Sequence, residues 1–157
     1  MIIGVFGLPR SGTNYMEWTL KNNFIDVIVP HIDFKTNDVE PYIPKIIHTK
    51  HCYPTLDAID GCIVIYKEFE EWKHSLERFK KNMFFPYTFN SWESYLNTAN
   101  RLDKEKCIIV EHSWCVNNYE RLLSDISSKF GVKIVDNPTI PTKIIDMGGN
   151  VTNKLYK

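Results

Sequence analysis

The sequence predicts an α/β fold with a mainly parallel central sheet, and two observations carry this prediction. Short apolar segments of the kind that form buried strands alternate along the chain with longer amphipathic segments of helical period. This alternation is typical of strand–helix–strand units, whose strands lie parallel in one sheet. The clearest strand segment, 61-GCIVIYK-67, is apolar nearly throughout, which indicates a central strand covered on both faces.

The first third of the chain alternates in this way around a glycine-rich loop. The segment 2–6 is short, apolar and β-branched, Asn22-Asn23 ends the helix that follows the loop, and the polar segment 31–44 contains two prolines. The predicted elements are a strand at 2–6, a loop at 7–12, a helix from 13 to about 21, a possible strand at 25–30, a loop at 31–44 and a strand at 45–49.

The rest of the chain continues the pattern up to a tail without clear periodicity at 137–157. Three helices are predicted from apolar stripes at three- and four-residue spacing and from residues that suit helix ends. The predicted elements are a strand at 61–67, a helix with the stripe Phe69, Trp72, Leu76 and Phe79, a loop at 83–89, a helix capped by Asn90 and Glu93, a strand at 107–111, a helix capped by Asn117 and Glu120 and ended by Gly131, and a short possible strand at 132–135.

Length and composition indicate an ordinary globular protein. The 157 residues argue for a single domain over 1–157, and 19 basic residues balance 19 acidic ones, so the charge gives no support for a nucleic-acid partner. No apolar run approaches the ~20 residues that span a bilayer, and no secretory signal is present, so we expect a cytoplasmic protein without a membrane span. The cysteines show no CxxC pairing, so Cys62 and Cys107 are expected to be buried and no zinc site is expected.

The stretch 7-GLPRSGTNYM-16 predicts a phosphate-binding loop. It joins a predicted strand to a helix N-terminus, where backbone N–H groups and the helix dipole attract an anion. Ser11 and Thr13 add hydroxyl donors, and Arg10 adds a positive charge. The lysine that an NTPase places before its Ser/Thr is missing, because Gly12 is followed directly by Thr13.

The Pro-Arg-Ser-Gly-Thr sequence of this loop resembles the 5′-phosphosulfate loop of the sulfotransferases, whose donor is 3′-phosphoadenosine 5′-phosphosulfate (PAPS). That family requires no magnesium at the loop, so the missing NTPase lysine fits the resemblance. The resemblance implies a three-layer sandwich of P-loop NTPase-like topology and no metal. Tyr15 takes the place of an aromatic residue that contacts adenine in some members, and core packing is the alternative role. The donor-binding residues that the resemblance implies here are Pro9, Arg10, Ser11, Gly12, Thr13, Asn14 and Tyr15.

A second motif of the family holds the 3′-phosphate of the donor. It consists of an arginine at the end of a central strand and a serine eight residues later. In this chain Lys67 ends the clearest strand and Ser75 follows at that spacing, although 67-KEF-69 replaces the usual Arg-Asp-Pro. Lysine serves a phosphate as a point charge instead of a bidentate fork. The alternative is that both residues are ordinary solvated positions.

The segment 48-HTKHCYP-54 resembles the Lys-Thr-His-x-Pro segment of cytosolic sulfotransferases, whose histidine is the general base. His51 is the best match, because an imidazole is largely neutral at pH 7 and accepts a proton. His48 is the fallback. Lys50 is a candidate to stabilise the transferring sulfuryl group or the leaving phosphate, although the order Thr-Lys-His differs from the family's.

The chain also departs from the family. The C-terminal Arg-Lys-Gly that contacts the 3′-phosphate has no clear counterpart, and the nearest segment is 147-MGGNVTNK-154. The chain is much shorter than most members, and the missing length normally helps to build an acceptor pocket. The aromatic loop 83-MFFPYTF-89 is a candidate surface for a sugar, phenol or lipid acceptor or for a partner, and capping of the core is the alternative.

The sequence therefore predicts a PAPS-dependent sulfotransferase. It would transfer a sulfuryl group to the hydroxyl or amine of a small-molecule, sugar or lipid acceptor and release adenosine 3′,5′-bisphosphate. One alternative is a P-loop phosphotransferase, for which Glu111 would be the candidate acidic residue for magnesium. The other is a binding module that keeps the nucleotide and lacks turnover.

Overall fold

The computed structural model describes residues 1–30, 54, 56, 58–79, 88–141, 143–145 and 151–155. The predicted loop at 31–44, the predicted strand at 45–49 and the loop residues 83–87 lie outside these ranges. Strands and helices alternate up to α5, which confirms the predicted α/β class. The elements are β1 (Ile3–Phe6), α1 (Thr13–Asn23), β2 (Gly61–Tyr66), α2 (Phe69–Phe79), α3 (Phe89–Asn100), β3 (Cys107–Glu111), α4 (His112–Asn117), α5 (Tyr119–Phe130), β4 (Lys143–Ile145) and β5 (Val151–Leu155).

The main sheet has the order β1-β2-β3, and both pairs of neighbours are parallel. Its register aligns Phe6 with Val64, and Tyr66 with Glu111. β2 is the central strand, as the sequence predicted, and its residues up to Ile65 are buried. Because parallel strands share a direction, the segments that follow β1, β2 and β3 emerge at the same edge of the sheet.

Apolar side chains of the sheet point alternately to two faces, and a separate core lies on each. α1 and α5 cover the first core, and α3 covers the second. Cys62 and Cys107 lie in the second core as buried thiols, as predicted, with their Sγ atoms 3.1 Å apart. The first core contains Ile3, Val5, Ile63 and Ile65 of the sheet, and the second contains Phe6, Cys62, Val64 and Cys107.

α1 ends at Asn23, as predicted, in a buried polar network. The Asn23 amide nitrogen donates to the Thr19 carbonyl and to the Tyr119 hydroxyl, at 3.0 and 2.9 Å. Its amide oxygen accepts the backbone N–H of Thr139 at 2.6 Å. Each polar group of this network thus has a partner, which is what burial requires. The network fixes the C-terminal end of α1 to α5 and to the segment that follows it.

Two predicted helix caps are wrong: a neighbouring residue occupies the N-cap position in each case, and of the two only Thr88 makes a side-chain cap hydrogen bond. α3 starts after Thr88 and not after Asn90, because the Thr88 side chain accepts the Ser91 N–H in a capping box. The residue before α5 is Asn118, whose side-chain amide donates to the Trp114 carbonyl of α4. α4 was not predicted, because a six-residue helix is too short to show a period. The predicted end of α5 is confirmed, since Gly131 has a left-handed φ of 66°.

Three predictions about extended segments also change. The possible strand at 25–30 is reduced to an isolated parallel bridge between Ile2 and Ile28, because Asp26 has a left-handed φ of 59°. The possible strand at 132–135 is an isolated antiparallel bridge between Phe24 and Ile134. The tail forms an antiparallel pair, β4 with β5, which strands this short do not reveal by periodicity. Within the described ranges, no helix has the length and apolar character needed to cross a membrane.

Candidate anion-binding site

Three predicted strand ends meet at the carboxyl edge of the sheet. The glycine-rich loop at 7–12 follows β1, Lys67 follows β2, and His112 follows β3. Ligands of open parallel sheets bind beyond this edge. The order β1-β2-β3 places Lys67 between the other two segments.

The loop is a tight turn that requires glycine at its start. The Ser11 N–H donates to the Leu8 carbonyl at 3.0 Å, and Arg10 has a left-handed φ of 70°. A Cβ atom on Gly7 would lie 2.2 Å from Ser11 Oγ and 2.6 Å from the Ile65 carbonyl oxygen. Any side chain at Gly7 would therefore displace the loop from the end of β2.

Two buried or half-buried indoles hold the backbone at this edge. Trp72 of α2 is 1% exposed, and its Nε1 donates to the Pro9 carbonyl in the loop at 2.8 Å. Trp92 of α3 donates from Nε1 to the Lys67 carbonyl at 2.9 Å. The sequence identified Trp72 only as part of an apolar stripe, and helical spacing gives no signal for the polar end of an indole. Each indole fixes one of the two predicted donor-binding segments.

The loop carries polar side chains into a buried position. Ser11 is 1% exposed, and its Oγ has no hydrogen-bond partner in the part of the chain that the structure describes. Leaving a buried hydroxyl unsatisfied costs about 1–3 kcal/mol. Thr13 is also buried, the Arg10 side chain is exposed, and the first turn of α1 contains no acidic residue. The loop thus combines donors and positive charge with no acid in the helix turn behind it.

The structure brings the predicted pair Lys67 and Ser75 into direct contact. Lys67 Nζ donates to Ser75 Oγ at 3.0 Å. The same ammonium group lies 3.5 Å from the Glu71 carboxylate, one helical turn before Ser75 on α2. Lys67 and Ser11 line one narrow gap together with Leu8. The predicted 3′-phosphate pair therefore lies next to the predicted 5′-phosphosulfate loop.

Positive charge is concentrated around Lys67. Burial lowers the pKa of Lys67 below its usual 10.5, Glu71 raises it, and the charges of Arg10 and Arg78 lower it further. Three cations thus act on one another across the loop and α2, and one carboxylate pairs with the central lysine. An anion that binds here would attract the three cations and so offset their mutual repulsion.

His112 also lies at this edge, and the sequence did not identify it as a site residue. It directly follows β3, and its ring lies so close to the loop that a Cβ on Gly12 would be 2.4 Å from His112 Cδ2. The Tyr15 ring meets it edge-on, with centroids 5.3 Å apart. Burial lowers the pKa of His112 from 6.5 to about 4, and the charge of Lys67 adds to this effect. A polar residue directly after a predicted strand was the available signal.

Other predicted residues have different positions. Tyr15 is buried in the core between His112 and Tyr119, which is the packing role that the sequence left open beside adenine contact. Asn14 is half-buried on the first turn of α1. The segment with His48, Lys50 and His51 lies outside the described residues.

Glu111 lies at the same edge, but it is separated from the loop. Its carboxylate accepts a hydrogen bond from the Ser113 hydroxyl, and β2 lies between its strand and β1. In the described segments, no group of three or more metal-ligating side chains is close enough to hold an ion. An open groove of about 720 Å³ runs along β3, with Ile109, Trp114 and Lys129 in its lining, and none of its lining residues belongs to the loop.

Comparison with known proteins assigns no family to the chain. No family model, no curated protein and no solved structure matches it.

Proposed function

We propose that the chain is a PAPS-dependent sulfotransferase with a P-loop-type three-layer topology. The observation that carries the proposal is the 3.0 Å contact between Lys67 and Ser75, directly beside the glycine-rich loop. The resemblance to the sulfotransferases implied this pair, from a cation at a strand end and a serine eight residues later, and the two side chains share no element. A lysine and a serine that meet next to an anion-binding loop are what a donor with two separate phosphate positions needs.

In this proposal the loop and α1 bind the 5′-phosphosulfate, and Lys67 with Ser75 binds the 3′-phosphate. A loop-bound anion would give the buried Ser11 hydroxyl an acceptor, and it would meet the N–H groups of the first helical turn. The 3′-phosphate would offset the cost of burying the Lys67 charge among Arg10 and Arg78. Selection of PAPS over ATP would follow, because only PAPS carries a 3′-phosphate.

The chemistry would be an in-line attack of the acceptor hydroxyl or amine on sulfur. His51 would accept the proton of the acceptor as the new bond to sulfur forms. The bond between sulfur and the bridging oxygen would break, and adenosine 3′,5′-bisphosphate would leave. Arg10, Lys50 and the loop N–H groups would stabilise the charge that grows on the phosphate oxygens. Acceptors of the predicted classes are sugars, lipids and other small molecules.

The site favours this function over a magnesium-dependent phosphotransferase. A phosphotransferase needs a lysine before Thr13 and an acidic residue placed for the metal, and Gly12 occupies the first position. Glu111 is the candidate for the second, but its carboxylate is engaged by Ser113 and its strand is not adjacent to β1. A binding module without turnover would share the donor site, so only an activity measurement separates it from an enzyme.

The donor site is tested by calorimetric titration with adenosine 3′,5′-bisphosphate. The double variant Lys67→Ala, Ser75→Ala should lose at least tenfold in affinity, because a charge-assisted hydrogen bond contributes about 1.5–3 kcal/mol. Lys73→Ala, which removes an exposed lysine of the same helix, is the matched control and should keep the affinity. Unchanged affinity in the double variant contradicts the 3′-phosphate assignment.

Turnover is tested with labelled PAPS and a panel of hydroxyl and amine acceptors. Arg10→Ala should lower the rate of transfer sharply, and His51→Ala should do so while donor binding is largely kept. Binding of adenosine 3′,5′-bisphosphate without transfer to any acceptor would support the binding module instead.

A further inference from the structure

One face of α2 carries three functional groups at helical spacing. Glu71, Ser75 and Arg78 follow one another at four and three residues, so they lie along the same side of the helix. Lys67 contacts the first two through its ammonium group. Arg78 therefore lies on the same face of α2 as the two residues that Lys67 contacts, one turn beyond Ser75.

The Arg78 side chain is held in place by its own helix. Arg78 Nη2 lies 2.8 Å from His74 Nε2. Because a guanidinium group only donates, His74 Nε2 is the acceptor in this bond. Arginine has five donors, so this bond leaves others for a second partner. The charge of Arg78 is close enough to Lys67 to oppose protonation of the lysine.

We propose that Arg78 is a third ligand of the anion held by Lys67 and Ser75, and that it selects nucleotides with a 3′-phosphate. The inference rests on the proposed function, since it names a further residue of the same donor site.

The charges on the face explain why a third ligand is needed. Lys67 supplies one positive charge, and Glu71 offsets it at 3.5 Å. A phosphate monoester carries nearly two negative charges at neutral pH, so Lys67 and Ser75 alone would leave it poorly neutralised. Arg78 restores the balance and adds the planar fork that matches phosphate oxygens, which lysine lacks.

The test compares two nucleotides by calorimetry at fixed salt. Adenosine 3′,5′-bisphosphate carries the 3′-phosphate, and adenosine 5′-phosphate lacks it. Arg78→Gln should weaken binding of the bisphosphate at least tenfold and leave the monophosphate unchanged. Arg78→Lys should recover part of the loss. Arg121→Gln, which removes an exposed arginine from α5, is the matched control and should change neither affinity.

A second variant gives an effect of opposite sign, which loss of folding cannot produce. Glu71→Gln removes the carboxylate beside Lys67, so it should strengthen bisphosphate binding by about two- to fivefold. Arg78 is exposed, so its substitution should leave thermal unfolding unchanged.

The outcomes separate this inference from the proposed function. A wild-type protein that binds both nucleotides equally overturns the 3′-phosphate site, and Arg78 with it. A wild-type preference for the bisphosphate that survives Arg78→Gln overturns the role of Arg78 alone. Equal losses for both nucleotides in Arg78→Gln also overturn it, because they indicate a general charge effect.

Discussion

Acid should destabilise the protein through His112, and the magnitude follows from its surroundings. Burial against Gly12 and Tyr15 lowers the pKa of His112 from 6.5 to about 4. Between these values the unfolded chain binds a proton that the folded protein does not, so stability falls as the pH falls. At about 1.4 kcal/mol per pKa unit, the full loss is about 3 kcal/mol. This is an upper bound, because the ring keeps some contact with water.

The assay is urea unfolding, followed by tryptophan fluorescence, from pH 7.5 to pH 3.5. The variant His112→Gln cannot take up this proton. Between pH 6.5 and pH 4 the wild type should therefore lose up to about 3 kcal/mol more of its free energy of unfolding than the variant loses. His74→Gln removes an exposed histidine and should keep the wild-type loss. Parallel losses in the wild type and His112→Gln would refute the burial of His112 at this edge.

Three further predictions test the fold and the site. Gly131→Ala should lower the free energy of unfolding by about 1 kcal/mol in urea titrations, because a left-handed φ of 66° strains alanine. The added Cβ would meet no atom within 4 Å, so no steric clash contributes to this loss. Unchanged stability would contradict the left-handed end of α5. Trp72→Phe removes the hydrogen bond to the Pro9 carbonyl, so it should lower the free energy of unfolding by about 1–3 kcal/mol, as followed by thermal unfolding. It should also weaken binding of adenosine 3′,5′-bisphosphate, as measured by calorimetry. Intact affinity would show that Trp72 does not hold the loop. The affinity of the wild type for this ligand should fall with rising pH, and the fall should begin below pH 10.5 because burial lowers the pKa of Lys67. Lys67→Arg stays charged, so its affinity should be constant from pH 7 to pH 10. Identical pH profiles of the two proteins would contradict the role of Lys67.

Hydrophobic pattern was sufficient to predict the elements that form the cores. β2 is apolar almost throughout, and it is the central strand because both of its faces are covered. α2 and α5 each follow a helical stripe. The caps were predicted less well, because several polar residues near a helix start satisfy the same pattern. Thr88, and not Asn90, is the N-cap residue because its hydroxyl accepts a hydrogen bond from the Ser91 N–H in the folded chain.

The contact between Lys67 and Ser75 could be predicted because the two residues are close along the chain. Lys67 directly follows β2 and Ser75 lies about two turns into α2, so the short connection between these elements is enough to bring the two side chains together. His112 was missed because its proximity to Gly12 depends on strand order, which the sequence does not state. The hydrogen bonds of Trp72 and Trp92 were missed for the same reason, since their acceptors belong to other elements.

A sulfotransferase of this kind requires a site that binds a donor with a 3′-phosphate and needs no metal. Calorimetric titration with adenosine 3′,5′-bisphosphate, beside ATP with magnesium, distinguishes such a site from that of a phosphotransferase. We expect tight binding of the bisphosphate that does not depend on magnesium, and weak binding of ATP. Magnesium-dependent binding of ATP in preference to the bisphosphate would contradict it and would favour a phosphotransferase.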